Sequence, residues 1–508
     1  MYIEPNTNIK ILKGVPLDNS YLNTLWFSDI SSQSAFFASK IKYNLTAQSY
    51  QRVVKGKMRI EIKSENLYDC NYLCFQNTSF GTKWFYAFIL NVEYVNNITS
   101  EITFEIDVMQ TYLFDATLKS CFVEREHSIT DKIGENLIPE NLDTGDYISD
   151  DFDSAGIGQK SIVVASTFDK NYTETAYSYY GGIYSGLQFN VFENSATGAL
   201  EAGKFIDEAG AKSSGIVAVF LMSSKFITEN LESVKTFEFS KEKKTSNLFG
   251  ENGYQIKNNK LYTFPYNFLQ VSDLQGTDVV YKYEYFSTDA CEFITSGDMT
   301  CDPHVVLAPK NYKNIPVNYD EKITLGGYPQ CAYNTDSFKE YMGANGINIG
   351  LGLIASSSRV SMSNINAIGK TSVSSNEPAI GGVLGIANTL SGAFPRALNP
   401  EKSHGLGGAS TLAALGMLDF AFMHKHIREE FAIIIDQYFN MFGYATHKVK
   451  IPNRHSRPHW NYVKTKNCII IGNCPSDDIK KMCSIYNNGI TFWKDGNEVG
   501  NYELDNRP

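Results

Sequence analysis

Between Met342 and Met423 the chain nearly loses its charge and fills with glycine, alanine and short aliphatic residues, although the sequence on either side is polar and rich in tyrosine. The uncharged runs are GANGINIGLGLIASSS (343–358), AIGGVLGIANTLSGAF (379–394) and GLGGASTLAALGML (405–418). Each is shorter than the roughly 20 apolar residues that carry a single helix across a bilayer. Glycine at this frequency also weakens helix propensity and fixed core packing. A stretch too apolar for a solvated loop and too glycine-rich for an ordinary core points to an element kept hidden and then released into lipid. The plainer alternatives are a buried helical hairpin or a Gly/Ser loop.

The 508 residues suggest two to four domains on length alone. A hydrophobic content of 43% supports real cores and argues against disorder. Aromatics make up 13%, with 31 Tyr and 32 Phe, and such flat side chains favour pleated β surfaces. The formal net charge of -10 argues against a dedicated nucleic-acid binder, whose affinity comes from phosphate neutralisation. It leaves room for a conduit that must not stick to DNA. The nine cysteines, at 70, 74, 121, 291, 301, 331, 468, 474 and 483, are odd in number and include no CxxC pair. They read as mostly buried thiols made in a reducing cytoplasm rather than a zinc ribbon or a disulfide framework. The N-terminal MYIEPNTNIKILKG lacks the apolar core of a signal peptide.

Residues 1–130 read as antiparallel β structure. In KMRIEIKS, Met58, Ile60 and Ile62 alternate with charged residues, and ITFEIDVMQTYLF repeats the period of two. Asn96-Asn97, between the runs 83–95 and 102–114, supplies hairpin turn chemistry. Residues 131–159 are acidic, with Pro139 and several Gly and Asn, and read as a linker or surface connection. Residues 160–340 form a second β-rich domain, the apolar segment spans 341–423, and 424–508 return to the terminal fold. IREEFAIIIDQYF (427–439) predicts a helix, with Ile427, Phe431, Ile434, Ile435 and Tyr438 at helical spacing. Asp495-Gly496 predicts a last hairpin. The fold class expected is mainly β: a barrel or sandwich tube domain built from both termini, an inserted β-rich domain, one apolar loop and a helix.

The terminal segments carry a resemblance. NTLWF (23–27), CFQNTSFGTKWFYAF (74–88), ITFEIDVMQTYLF (102–114) and CFVEREH (121–127) are similar to the N-terminal part of a phage protein family. FGYATHKVKIPNRHSRPHWNYVKTKNC (442–468) and NNGITFWKDGNEVGNYELDN (487–506) are similar to its C-terminal part. The family is the tail knob, or distal tail tube, protein of small short-tailed phages of Gram-positive bacteria (Picovirinae type). The resemblance is specific over 20–127 and 437–506; between them only the order and character of the segments agree. It implies a homo-hexameric tube assembled in the host cytoplasm as part of the virion tail, in contact with other phage tail proteins. Phage DNA would pass its lumen without sequence-specific binding. A hydrophobic loop would plug the lumen and then emerge to penetrate the host cell membrane for genome ejection. The residues expected to insert are Leu351, Leu353, Ile354, Ile380, Val383, Leu384, Ile386, Leu390, Phe394, Leu406, Leu412, Leu415, Met417 and Leu418. Trp26, Phe27, Trp84, Phe85, Trp460 and Trp493 would build the subunit core and ring wall, and Glu377, His404 and Asp419 are the titratable groups nearest the loop.

No catalytic, cofactor-binding or metal-binding set is expected. GLGLIA (350–355) and NINAIGKT (364–371) resemble nucleotide-binding turns, but the first lacks its following acid and Asn364 stands where a P-loop needs glycine. Asp150, Asp151 and Asp153 with Gly156 miss the calcium-loop scheme at Ala155 and Ile162. HKHIREE lacks the HExxH order, and Pro458 separates His455 from His459, so these histidines are expected at the surface. Lys448, Lys450, Arg454, Arg457, Lys464 and Lys466 form a basic stretch that could face a negative neighbour, nucleic acid or anionic lipid, or protect a solvated strand edge. The alternative function is a virion-associated protein that binds or degrades cell wall; a pore-forming toxin fits less well without a secretion signal.

Overall fold

The computed structural model describes residues 6–48, 56–77, 81–167, 179–180, 183–184, 188–213, 216–227, 235–297, 303–326, 328, 330–332 and 418–508. The fold is mainly β and its sheets are built almost wholly from antiparallel pairs. Contacts divide the chain into two compact units: Met1–Gly145 with Phe249–Leu261 and Glu429–Pro508, and Asp146–Leu248 with Tyr262–Arg428.

The first unit contains a six-stranded sheet in the order Ile41–Gln48, Thr7–Lys13, Cys70–Asn77, Phe85–Asn96, Thr99–Ile106, Lys57–Ile60. The hairpin expected at Asn96-Asn97 is present: Asn96 pairs with Thr99, and the Asn96 side chain accepts from the Ile98 N–H at 2.9 Å. A five-stranded sheet joins the two ends of the chain, in the order Asn23–Leu25, Ile490–Trp493, Trp460–Lys466, Cys121–Glu126, Tyr444–Lys450. Trp460 and Trp493 are fully buried between these segments, with Trp26, Phe27 and Trp84 packed partly buried against the same cluster. Ile490–Trp493 pairs with Trp460–Lys466 on one edge and with Asn23–Leu25 on the other. Both its edges are therefore taken, and no strand follows Asp495-Gly496; the hairpin expected there is a turn instead.

Helix Glu429–Phe442 begins two residues later than the pattern predicts, because Ile427 ends a strand. Its buried face also departs from that pattern. Ala432, Ile435, Asp436 and Phe439 point inward, whereas Ile434 is 65% exposed. The cause is Asp436, whose carboxylate accepts from the Lys257 N–H (2.6 Å), the Asn258 N–H (3.0 Å) and the Tyr254 hydroxyl (2.8 Å). These bonds, with Tyr254 N–H to Glu429 (2.7 Å), bind residues 249–261 to the terminal unit although they lie in the middle of the sequence. The helix Ser476–Asn488, whose apolar positions are sparse, is an element that sequence periodicity missed.

The second unit holds a sheet in the order Tyr147–Ser154, Ala421–Ile427, Asn267–Ser272, Asp278–Tyr281. The acidic connection is thus partly a strand: Tyr147–Ser154 is exposed throughout and forms an edge of this sheet. A second sheet runs Gln188–Glu193, Lys160–Ser166, Ile216–Ser223, Gln330–Ala332, with the helix Ala196–Ser213 contacting it. A third runs Lys235–Glu242, Ala290–Gly297, Val305–Tyr312, Ile315–Val317, with Ile323–Leu325 also paired to Val305–Tyr312. Aromatic side chains fill the main core, where Phe293 lies 5.2 Å from Tyr281, 5.3 Å from Phe422 and 5.7 Å from Phe286, ring centre to ring centre and edge to face.

Candidate functional site

The described residues that flank 333–417 are rooted in one core. On the N-terminal side Leu325 and Tyr328 are buried in the aromatic cluster of the second unit, and Gln330–Ala332 pairs in register with Phe220, Val219 and Ala218. On the C-terminal side Leu418, Phe420 and Phe422 belong to the same cluster. Asp419, buried between them, accepts from the Ile157 N–H at 3.0 Å and from the Phe420 N–H at 2.8 Å. Burial raises its pKa above the usual carboxylate range. Lys160 donates to the Leu418 carbonyl at 3.3 Å and to that of Gly158, and burial brings its pKa down to about 8 against the pull of Asp419. Asp419 and Lys160 thus have partners at this root that would be lost on opening.

Of the residues expected to insert in a membrane, Leu418 alone is described, and it is fully buried in that fixed core. The others, from Leu351 to Met417, lie outside the described residues, as do Glu377, His404 and the two nucleotide-like turns. Among the described residues no helix is long and apolar enough to cross a membrane.

Two histidines overturn their expected place. His424 and His426 are not at the surface: they are 4% and 2% exposed. Their spacing of two puts both on the inward face of the strand Ala421–Ile427, in line with Phe422. The signal was present in AFMHKHI, but it becomes readable only once the segment is known to be a strand. His455, by contrast, is exposed and stacks on Trp26 at 4.7 Å between ring centres, and half-buried His459 lies 2.7 Å from Glu498. Two lysines of the basic stretch have acidic partners within the unit. Lys464 pairs with Glu124 at 2.7 Å and Lys450 with Glu126 at 2.5 Å, both across strand neighbours, while Arg457 is buried.

The comparisons agree with this architecture. Residues 225–507 match the family described as Bacillus phage phi29 tail knob protein gp9, C-terminal domain, and residues 5–117 match the caudoviral major tail protein N-terminus. Tail knob protein gp9 of Bacillus phage PZA is 24% identical, with 98% of each chain covered. The same protein of Bacillus phage B103 is 22% identical over equal coverage. Among solved structures, the bacteriophage C1 tail knob protein gp12 shares the fold with a TM-score of 0.66 at 16% identity, covering 98% of this chain and 99% of that one. The protein is accordingly a structural component of the phage tail, working beside other tail proteins in the virion, and not an enzyme. With more than half of its residues inside the gp9 C-terminal-domain match, the chain belongs to the tail knob protein family of the phi29-type phages.

Proposed function

We propose that the protein forms the distal tube of the tail as a homo-hexamer assembled in the host cytoplasm, with phage DNA passing through its lumen. In this reading the apolar segment 341–423 plugs the lumen and is released at infection to penetrate the host cell membrane, so that the genome can be ejected. The inserting residues are those from Leu351 to Met417, and Leu418 serves as the fixed anchor. The observation that carries the proposal is a nearly uncharged, glycine-rich insertion whose two ends are rooted in one aromatic core. A firm root with an apolar insertion suits a tethered element with two alternative dry environments. Burial drives both states at roughly 25 cal/mol per Å² of apolar area, so their difference is small and a modest trigger can select one.

Oligomerisation is supported by the edge strand Tyr444–Lys450 and the residues after it. This strand is the last of its sheet, and Val449 and Ile451 are 73% and 58% exposed. Electron micrographs of the purified full chain test the tube; six-fold hollow rings are expected, and particles that stay monomeric at high concentration oppose it. Dye release from liposomes tests the plug. The intact protein should permeabilise vesicles after a trigger such as acidification, and a variant carrying Ile354→Asp and Leu384→Asp should not. Equal leakage from both proteins rules the segment out as the membrane-active element.

A further inference from the structure

The buried histidine pair has a carboxylate beside it, placed there by an irregularity in the sheet. The edge strand Tyr147–Ser154 pairs regularly with Ala421–Ile427 from Tyr147↔Ile427 to Ser149↔Lys425, then resumes at Phe152↔Met423. Asp150 and Asp151 together oppose His424 alone, which is a β-bulge, the device by which a strand re-aims a side chain. As a result, one ligand atom from each of Asp150, His424 and His426 lies within 4.8 Å of the other two.

The hydrogen bonds around the rings prepare them as ligands. Nδ1 of His426 lies 2.7 Å from the Ile427 carbonyl, which can only accept, so Nδ1 carries a proton and Nε2 is aimed inward. That Nε2 lies 2.5 Å from Asp150 Oδ2. Nδ1 of His424 is likewise engaged, 2.6 Å from the Tyr283 hydroxyl, leaving its Nε2 for a ligand. Engagement of the outer ring nitrogen is how metal-binding histidines are oriented. The cluster opens onto a cavity of about 230 Å³ lined also by Glu242, Lys243 and Lys244. Both lysines are committed elsewhere, Lys244 to Asp151 at 2.9 Å and Lys243 to the Phe286 carbonyl at 2.8 Å.

We propose that Asp150, His424 and His426 hold one divalent transition-metal ion, with solvent or Glu242 completing its shell from the cavity. Two imidazoles and one carboxylate suit zinc and its first-row neighbours, not calcium or magnesium, which take oxygen ligands. The ion sits where the ligand atoms of His426, His424 and Asp150 converge. It ties the exposed edge strand to the strand that follows Leu418. The site stands or falls independently of the membrane reading.

The test uses the full chain stripped with a chelator, Zn²⁺ titrated in competition with a chromophoric chelator, and Co²⁺ as a spectroscopic probe of nitrogen and oxygen ligation. One Zn²⁺ per chain is expected, with the melting temperature raised by the metal. Asp150→Asn, on an exposed edge strand, keeps the fold and should weaken binding about tenfold or more. Tyr283→Phe, which touches no ion, should weaken it by about tenfold through ring orientation. Folded wild-type protein that takes up no Zn²⁺ overturns the proposal. So does equal affinity in the wild type and in Asp150→Asn, which would make the ion adventitious.

Discussion

Two buried histidines, His127 in the terminal unit and His426 in the second, are partnered in different ways. His127, in the terminal unit, accepts from the Tyr462 N–H at 2.7 Å on Nδ1 and donates from Nε2 to the Asn440 carbonyl at 3.0 Å. Both nitrogens of the neutral ring are used, so the group is closed and can only be structural. His426, in the second unit, meets the Asp150 carboxylate through Nε2, and Asp150 and His424 line a cavity, which makes this the group proposed to take a cation. Burial by itself therefore says little about a histidine; the balance of donors and acceptors around it separates a strut from a site. The same closure recurs in the terminal unit at Asp436 and at Glu140, which pairs with Arg125 and Lys260 where all three side chains are largely buried.

The largest effect that would test this closure is the loss of Glu140. Glu140→Ala leaves Arg125 and Lys260 without their common partner and should cost about 3–5 kcal/mol, read from urea unfolding. A loss below about 1 kcal/mol would mean that water reaches the cations and that the terminal unit is not closed there.

The next test is acid. Burial, reinforced by the positive Arg457, lowers the pKa of His127 from its ordinary 6.5 to about 3. Its folded pKa lies below the unfolded one, so the unfolded state binds the extra proton. The stabilisation is complete above pH 6.5 and is lost as pH falls towards 3, at about 1.4 kcal/mol per pH unit. His127→Gln, which retains a donor and an acceptor, should remove that slope. Between pH 6.5 and 5 the wild type should lose about 2 kcal/mol more than the variant in urea melts.

These contrasts mark what the amino-acid order reveals. Strands such as Lys57–Ile60 and Thr99–Ile106 are legible because one face is buried and the alternation is clean. Helix Glu429–Phe442 is legible in place but not in orientation, since hydrophobic periodicity cannot anticipate a carboxylate buried to meet backbone N–H groups. Membership of 249–261 in the terminal unit was hidden for the same reason: it rests on hydrogen bonds to Asp436, not on apolar pattern. The cluster of Asp150 with His424 and His426 depends on a bulge, which leaves no trace in composition. The apolar segment is the reverse case, conspicuous in sequence but with most of its proposed inserting residues outside the described structure.

A smaller effect separates the open group from the closed ones directly. In metal-free buffer Asp150→Asn should change stability by less than about 1 kcal/mol, because Asp150 is 43% exposed and solvent replaces much of what is lost. With Zn²⁺ present, only the wild type should gain stability. A large cost without metal would make Asp150 a strut like Glu140 and erase the distinction between the two groups.

The smallest expected effect concerns the basic stretch of the terminal unit, where charge is conspicuous and its stabilising contribution is small. Lys464 and Glu124 pair at 2.7 Å with about a third of each side chain exposed. Such a pair contributes about 0–1 kcal/mol, because solvent screens it and the side chains lose rotamer freedom. Lys464→Gln should therefore shift the urea midpoint only slightly, and the shift should vanish at high salt. If the same variant instead lowered the ring count in micrographs while leaving the urea midpoint unchanged, the lysine would face a neighbouring subunit as well as Glu124. The stretch would then divide between Arg457, buried for the fold, and Lys464, held at the surface for assembly.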